Sequence, residues 1–231
     1  MVFFFTFALR NNKTKKMKQF LLSVLLLASA QVSFSQFSVG VQGGVTTSHT
    51  DATPDQSRYF YGAHAAYNFT PYLSLRANLS AGQLEGGDEG VANLMHYTNN
   101  FFQGDLNVKI YPVGILQKAQ QKKYLYYLSK LYASVGIGIM KSQTTINYLP
   151  AQVELFEFMG NYSGTAMVFP LEFGADIPLS KPFKTKGLYV NLFYRANYLN
   201  TDQMDGYQPK LSSNESKDTY TNFGAGISYR F

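Results

Sequence analysis

The sequence predicts an all-β fold, an eight-stranded antiparallel up-and-down transmembrane β-barrel, and three observations carry that prediction. Eight segments alternate apolar residues with polar or small ones at a period of two, as strands with two unlike faces must. The connections between them alternate short and long, the loop pattern of a barrel whose strands cross a bilayer. The face opposite the apolar one is crowded with glycine, at Gly40, Gly44, Gly62, Gly136, Gly138, Gly174, Gly224 and Gly226. In a soluble barrel that face would meet water, where glycine only weakens a strand; inside a narrow barrel it leaves room for Arg and Tyr from neighbouring strands.

The first 35 residues read as a leader. Met17-Lys18 opens MKQFLLSVLLLASAQVSFSQ, in which a short basic stretch precedes an apolar run and then small residues, the layout of a secretory signal. The run is too short to cross a bilayer as a helix. Cleavage after Ser35 and cleavage after Ala30 both fit, and the first is preferred because the strand pattern starts at Phe37. Met17 is the expected initiator. The expected organisation is thus a leader over 1–35 and one barrel domain over 36–231.

The strands follow in order. Over 37–46, Phe37, Val39, Val41 and Val45 share a face, and over 58–69 Tyr59, Tyr61, Ala63, Ala65, Tyr67 and Phe69 do so. The Thr70-Pro71 turn leads to 72–82, where Leu73, Leu75, Ala77 and Leu79 oppose Ser74, Arg76, Asn78 and Ser80. Over 101–111, Phe102, Leu106, Val108 and Ile110 oppose Gln103, Asp105, Asn107 and Lys109. The segments 131–140, 165–177, 188–199 and 219–231 repeat the pattern. The last ends Gly-Ile-Ser-Tyr-Arg-Phe, with Phe223, Ala225, Ile227, Tyr229 and Phe231 on one side. Pro112 to Lys123 and Pro178 to Lys186 read as the remaining shorter connections. The polar stretches 47–57, 83–100, 141–161 and 200–218 read as the long loops.

Composition narrows the function. The net charge is +6, but Arg10, Lys13, Lys15, Lys16 and Lys18 precede residue 36 and no acid does, so the remainder carries 15 basic against 14 acidic residues. The basic excess belongs to the leader, and no nucleic-acid surface is expected. The absence of cysteine excludes disulfides, thiol catalysis and an acyl-cysteine anchor.

With Gln36 opening the mature chain, the Thr70-Pro71 turn and the closing Gly226-x-Ser228-Tyr229-Arg230-Phe231 motif, residues 36–231 resemble the small eight-stranded bacterial outer-membrane barrels. They are most similar to the "porin family", or outer-membrane β-barrel proteins, common in Bacteroidetes. The resemblance implies residence in the cell outer membrane among its lipids and lipopolysaccharide. It also implies that the barrel-assembly machinery reads the terminal strand, with Phe231 and Tyr229 as the signal. It says little about activity.

The inward set then includes Arg76, Asp105, Lys109, Glu172, Asp176, Arg195 and Arg230, with His64 and Asn191 nearby. Charges confined in a narrow lumen are expected to pair, because an isolated buried charge costs several kcal/mol. The expected result is a salt-bridged plug, with a narrow porin-like pore or gate, or a side-opening path that carries hydrophobic molecules across the outer membrane, as the alternative. A lipid-modifying enzyme is the third reading. Its only sequence hint is the run Ser48-His49-Thr50-Asp51, and adjacent residues rarely converge their side chains. Dinucleotide, phosphate-loop and zinc motifs are absent, and no cofactor is expected. The acidic stretches 86–89 and 201–205 lack EF-hand spacing for calcium.

Charge orients the barrel. Lys118, Lys122, Lys123, Lys130, Lys181, Lys184 and Lys186 fall at the short-turn end. Asp51, Asp55, Glu85, Asp88, Glu89, Glu154, Glu157, Asp202, Asp205, Glu215 and Asp218 fall at the long-loop end, against Arg58, Lys141, Lys210 and Lys217. Both termini are expected in the periplasm, with the acidic loops outside facing a ligand the sequence does not name.

Overall fold

The computed structural model describes residues 36–50, 52, 54–88, 96–115, 123–148, 156–179, 186–202, 204–209 and 217–231. The segment 1–35 expected as a leader, and Asp51, Glu89, Lys118, Lys122, Glu154, Lys181, Lys184, Lys210 and Glu215, lie outside them, as do the side chains of Lys123 and Glu157. Eight long strands close a barrel: β1 (Gln36–His49), β2 (Asp55–Thr70), β3 (Leu73–Gly86), β4 (His96–Ile110), β5 (Leu131–Tyr148), β7 (Tyr162–Pro178), β8 (Gly187–Leu199) and β10 (Thr219–Arg230). Two short strands, β6 (Phe156–Met159) and β9 (Tyr207–Pro209), pair only with each other.

Every pairing is antiparallel, and each long strand pairs with its neighbours in the chain's order of long strands. Closure comes from β1 on β10, with Val41 opposite Ile227, and the amide of Phe231 donates to the carbonyl of Phe37 at 2.9 Å. Both ends of the barrel domain therefore meet at the end that carries the short turns, called here the terminal end. The β5–β7 ladder lacks bonded partners for Gly136 and Ile137, which lie opposite Pro170 and Phe169. Proline has no N–H to donate, yet the pairing resumes in the same register, Val135 with Leu171 and Gly138 with Val168.

The strands run further toward the long-loop end than hydrophobic periodicity predicts. Periodicity in the fifth segment stops at Met140, but β5 continues against β4, with Lys141 opposite Phe102 and Ile146 opposite Tyr97, and after a register shift Tyr148 lies opposite His96. Beyond Met140 the outward residues turn polar, with Lys141, Gln143 and Thr145 exposed. The apolar signal ends there while the backbone ladder does not, because main-chain pairing is indifferent to what the outer face meets. For the same reason β3 and β4 extend into the stretch 83–100 expected as loop, pairing Gly86 with Tyr97. The connection after β4 also differs from a plain turn: it holds a 3-10 turn (Val113–Ile115) and a short helix, α1 (Lys123–Leu128).

The barrel is inverted relative to a soluble protein. Val41, Tyr59, Val135, Ile139 and Phe223 stand outward and exposed, whereas Arg76, Asn78, Asp105, Lys109, Glu172 and Arg195 are buried inside. An apolar outer band over a polar interior is the arrangement a bilayer requires. Inside, glycines admit the bulk of their neighbours: a Cβ on Gly224 would stand 2.6 Å from the Phe193 ring and 2.9 Å from that of Phe60.

Candidate functional site

Glu172 on β7 is the centre of the lumen. It is fully buried, and its register partner on β8 is Arg195, so adjacent strands deliver that pair directly. Arg195 donates from Nε to Glu172 Oε2 at 2.7 Å, with Nη2 2.5 Å from the same oxygen. Arg76 reaches Glu172 Oε1 from β3, and β3 is separated from β7 by β4 and β5, so this bond crosses the lumen. The hydroxyl of Tyr132 donates to the same oxygen at 2.7 Å. One carboxylate thus holds two guanidinium groups and a phenol.

Asp105 on β4 forms a second centre. Arg195 Nη1 lies 3.4 Å from its Oδ2, and Asn78 and Gln103 donate to it at 2.7 and 2.9 Å, as does Asn107. Toward the terminal end, Lys109 Nζ donates to Asp176 Oδ2 at 2.6 Å, joined by Tyr111 Oη on the same oxygen and by Asn191 Nδ2 on Oδ1 at 2.7 Å. Lys109 Nζ also sits 3.5 Å from the centroid of the Tyr132 ring, which its charge favours. Three cations and three carboxylates therefore interlock, and their formal charges cancel.

Arg230 meets that network only at its edge, beside Tyr111. Its guanidinium lies 4.7 Å from the Tyr189 ring centroid, and among the described residues no carboxylate forms an ion pair with it. Lys130, in the turn before β5, is near enough to feel it: burial, and next the Arg230 charge, push the Lys130 ammonium down to about 8. Tyr229 and Phe231 are exposed on the outer face, with ring centroids 5.0 Å apart, and Phe231 lies 6.3 Å from Phe37 across the closure.

The lumen also holds an apolar layer that the charge-based reading missed. Phe60, Phe101, Met140, Val168, Phe193 and Tyr220 are buried together, with Phe101 5.5 Å from Tyr220 and Phe60 6.1 Å from Phe193. Strand parity alone would have placed these side chains inward. At the long-loop end this layer meets Met204, from the segment between β8 and β9, which is fully buried. The Met204 carbonyl accepts from Asn99 Nδ2 at 2.7 Å and Thr144 Oγ1 at 2.6 Å, and its amide donates to Asp218 at 2.7 Å. No periodic signal marks that insertion.

At the long-loop rim Ser48 and His49 do not converge, and Asp51 of the same run lies outside the described residues. Ser48 is buried and donates to the Glu85 carbonyl at 2.5 Å, whereas His49 faces outward and pairs with Asp55 at 2.6 Å. Consecutive strand residues point to opposite faces, so one β1 segment cannot bring Ser48 and His49 together. Glu85 bridges Arg58 and His96, the latter at 3.0 Å. Among the described residues no cluster of three or more His, Asp or Glu is placed to hold a metal ion.

A closed antiparallel barrel with an apolar exterior and a charged, hydrogen-bonded interior is an outer-membrane-type β-barrel. Residues 20–231 match the outer membrane protein beta-barrel domain family, and the chain belongs to that family, which is a family of the outer membrane. A search of curated proteins found no match. Similar solved structures include Neisserial surface protein A, at 9% identity and a TM-score of 0.48, covering 84% of this chain and 97% of that one. The attachment invasion locus protein Ail of Yersinia pestis matches at 12% identity and a TM-score of 0.47, covering 85% and 99%. OprG of Pseudomonas aeruginosa matches at 14% identity and a TM-score of 0.37, covering 84% and 95%.

Proposed function

We propose that this chain is a non-enzymatic integral outer-membrane protein whose lumen is closed to solutes and whose long loops carry recognition outside the cell. The observation that carries the reading is the Glu172 centre, where Arg76 and Arg195 converge from opposite walls onto one buried carboxylate. Opening a path there would separate charges that have exchanged their water for each other, at a cost of several kcal/mol per ion. The apolar layer at Phe60, Phe101 and Phe193 and the inserted Met204 give a second barrier on the long-loop side.

The termini lie in the periplasm in this reading, with the end carrying Asp55, Asp88, Asp202 and Asp218 outside. The terminal strand, with Tyr229 and Phe231, engages the barrel-assembly machinery. Ser48 and His49 occupy opposite faces of β1 and do not pair; on the exposed outer face His49 instead contacts Asp55 at 2.6 Å and the Thr221 hydroxyl at 3.2 Å. Planar-bilayer recording of the refolded protein tests the closed lumen: the expected trace is quiet. Steady open levels would replace this reading with a narrow channel, and release of acyl products from labelled lipopolysaccharide or phospholipid would replace it with a lipid-modifying enzyme.

A further inference from the structure

Between the Lys109–Asp176 pair and the terminal mouth lies a small polar cavity of about 10 Å³ whose walls include Ser74, Arg76, His64 and Arg230. That volume admits one water-sized species. Five polar atoms on those walls are buried without a hydrogen-bond partner: Ser74 Oγ, Arg76 Nε, His64 Nδ1, Arg230 Nε and the acceptor Asn191 Oδ1. Ser74, Arg76 and His64 are each more than nine-tenths buried. Leaving such groups unmatched costs free energy, so the cavity is built to hold something.

Charge selects what it holds. Arg76 is matched by Glu172 and Lys109 by Asp176, but no carboxylate among the described residues pairs with Arg230. Asp176 also lines the cavity, yet its oxygens already accept from Lys109, Tyr111 and Asn191. One positive charge is left over. Both unmatched guanidine N–H groups can only donate, and a serine hydroxyl can do so. A water would occupy the space but leave the charge. We propose that the cavity binds one small monovalent anion, of the size of chloride, held by Arg76, Arg230 and Ser74. The anion completes the neutralisation of the lumen, and it links the stability of the barrel to halide concentration by mass action.

Two measurements on the full mature protein test this. Anomalous diffraction from crystals soaked in bromide is expected to show a peak between Arg76 and Arg230. Urea unfolding in vesicles, with chloride exchanged for bulky gluconate at constant ionic strength on both sides, is expected to show a midpoint that rises with chloride. Arg230→Gln is expected to flatten that dependence. Ser74→Ala, which keeps every charge, is expected to shift it to higher chloride and stands in should Arg230→Gln fail to fold. An ordered water with no bromide in the cavity would overturn the proposal. So would a midpoint indifferent to chloride, or an undiminished chloride dependence in the folded variants. None of these readouts depends on whether the lumen conducts.

Discussion

Replacing Glu172 with glutamine removes the charge on which the lumen turns while keeping its shape. The native carboxylate accepts from Arg76, from Tyr132 at 2.7 Å, and from Arg195 Nε at 2.7 Å, with Arg195 Nη2 at 2.5 Å. A glutamine amide retains one acceptor oxygen and puts N–H groups where the other stood. Arg76 then has no ion-pair partner among the described residues, and Arg195 keeps only Asp105 at 3.4 Å. Breaking a buried pair costs about 3 to 5 kcal/mol. The retained amide oxygen and Asp105 place Glu172→Gln near the lower figure, about 3 kcal/mol. With a urea slope of about 1 to 3 kcal/mol/M, the midpoint should fall by roughly 1 to 3 M.

The control is Asp55→Asn, which breaks the His49–Asp55 pair at side-chain exposures of 43% and 41%. A pair that open to water is worth roughly 0 to 1 kcal/mol. The double variant Glu172→Gln with Arg76→Gln restores the charge balance and should cost less than the two single changes added. Urea unfolding in lipid vesicles, followed by circular dichroism, reads all four. Equal midpoints for Glu172→Gln and Asp55→Asn, or strict additivity in the double variant, would refute a paired interior at Glu172.

Three further outcomes are expected. Folded protein should run faster than boiled protein on a denaturing gel, because a closed ladder leaves no strand edge for detergent to open; equal mobility of a sample shown to be folded beforehand would count against closure. Deleting Phe231 should slow arrival in the outer membrane more than it lowers the unfolding midpoint of the finished barrel, and normal arrival would reduce Phe231 to a lipid contact. Gly44→Ala should cost about 1 to 3 kcal/mol through overpacking, since its Cβ would fall 2.1 Å from the Phe223 carbonyl oxygen and 2.6 Å from the Gly224 Cα. Gly160→Ala, with nothing within 4 Å, should leave the unfolding midpoint unchanged.

The sequence by itself determined which face each strand residue takes. Parity is a local property of extended backbone: once Leu75 is assigned outward, Arg76 must point in, and the same holds for Asp105 beside Leu106 and Glu172 beside Phe173. It also determined the number of long strands, because an apolar face recurs wherever a strand meets lipid. It understated their length, because beyond Lys141 that face meets water and loses its apolar mark although the hydrogen-bonded ladder continues. Which charges meet was decided only by the tertiary structure. A contact such as that of Arg76 with Glu172, across the lumen, or of Lys109 with Asp176, past the intervening β5, joins strands that are not paired in the sheet. Its geometry follows from the stagger accumulated around the whole closed sheet. The same stagger leaves Arg230 beside Tyr189 rather than in an ion pair with a carboxylate among the described residues, and closure brings Asn99 and Thr144 onto the one carbonyl of Met204. No residue's neighbours in the chain encode these distances, since they exist only once β1 has met β10.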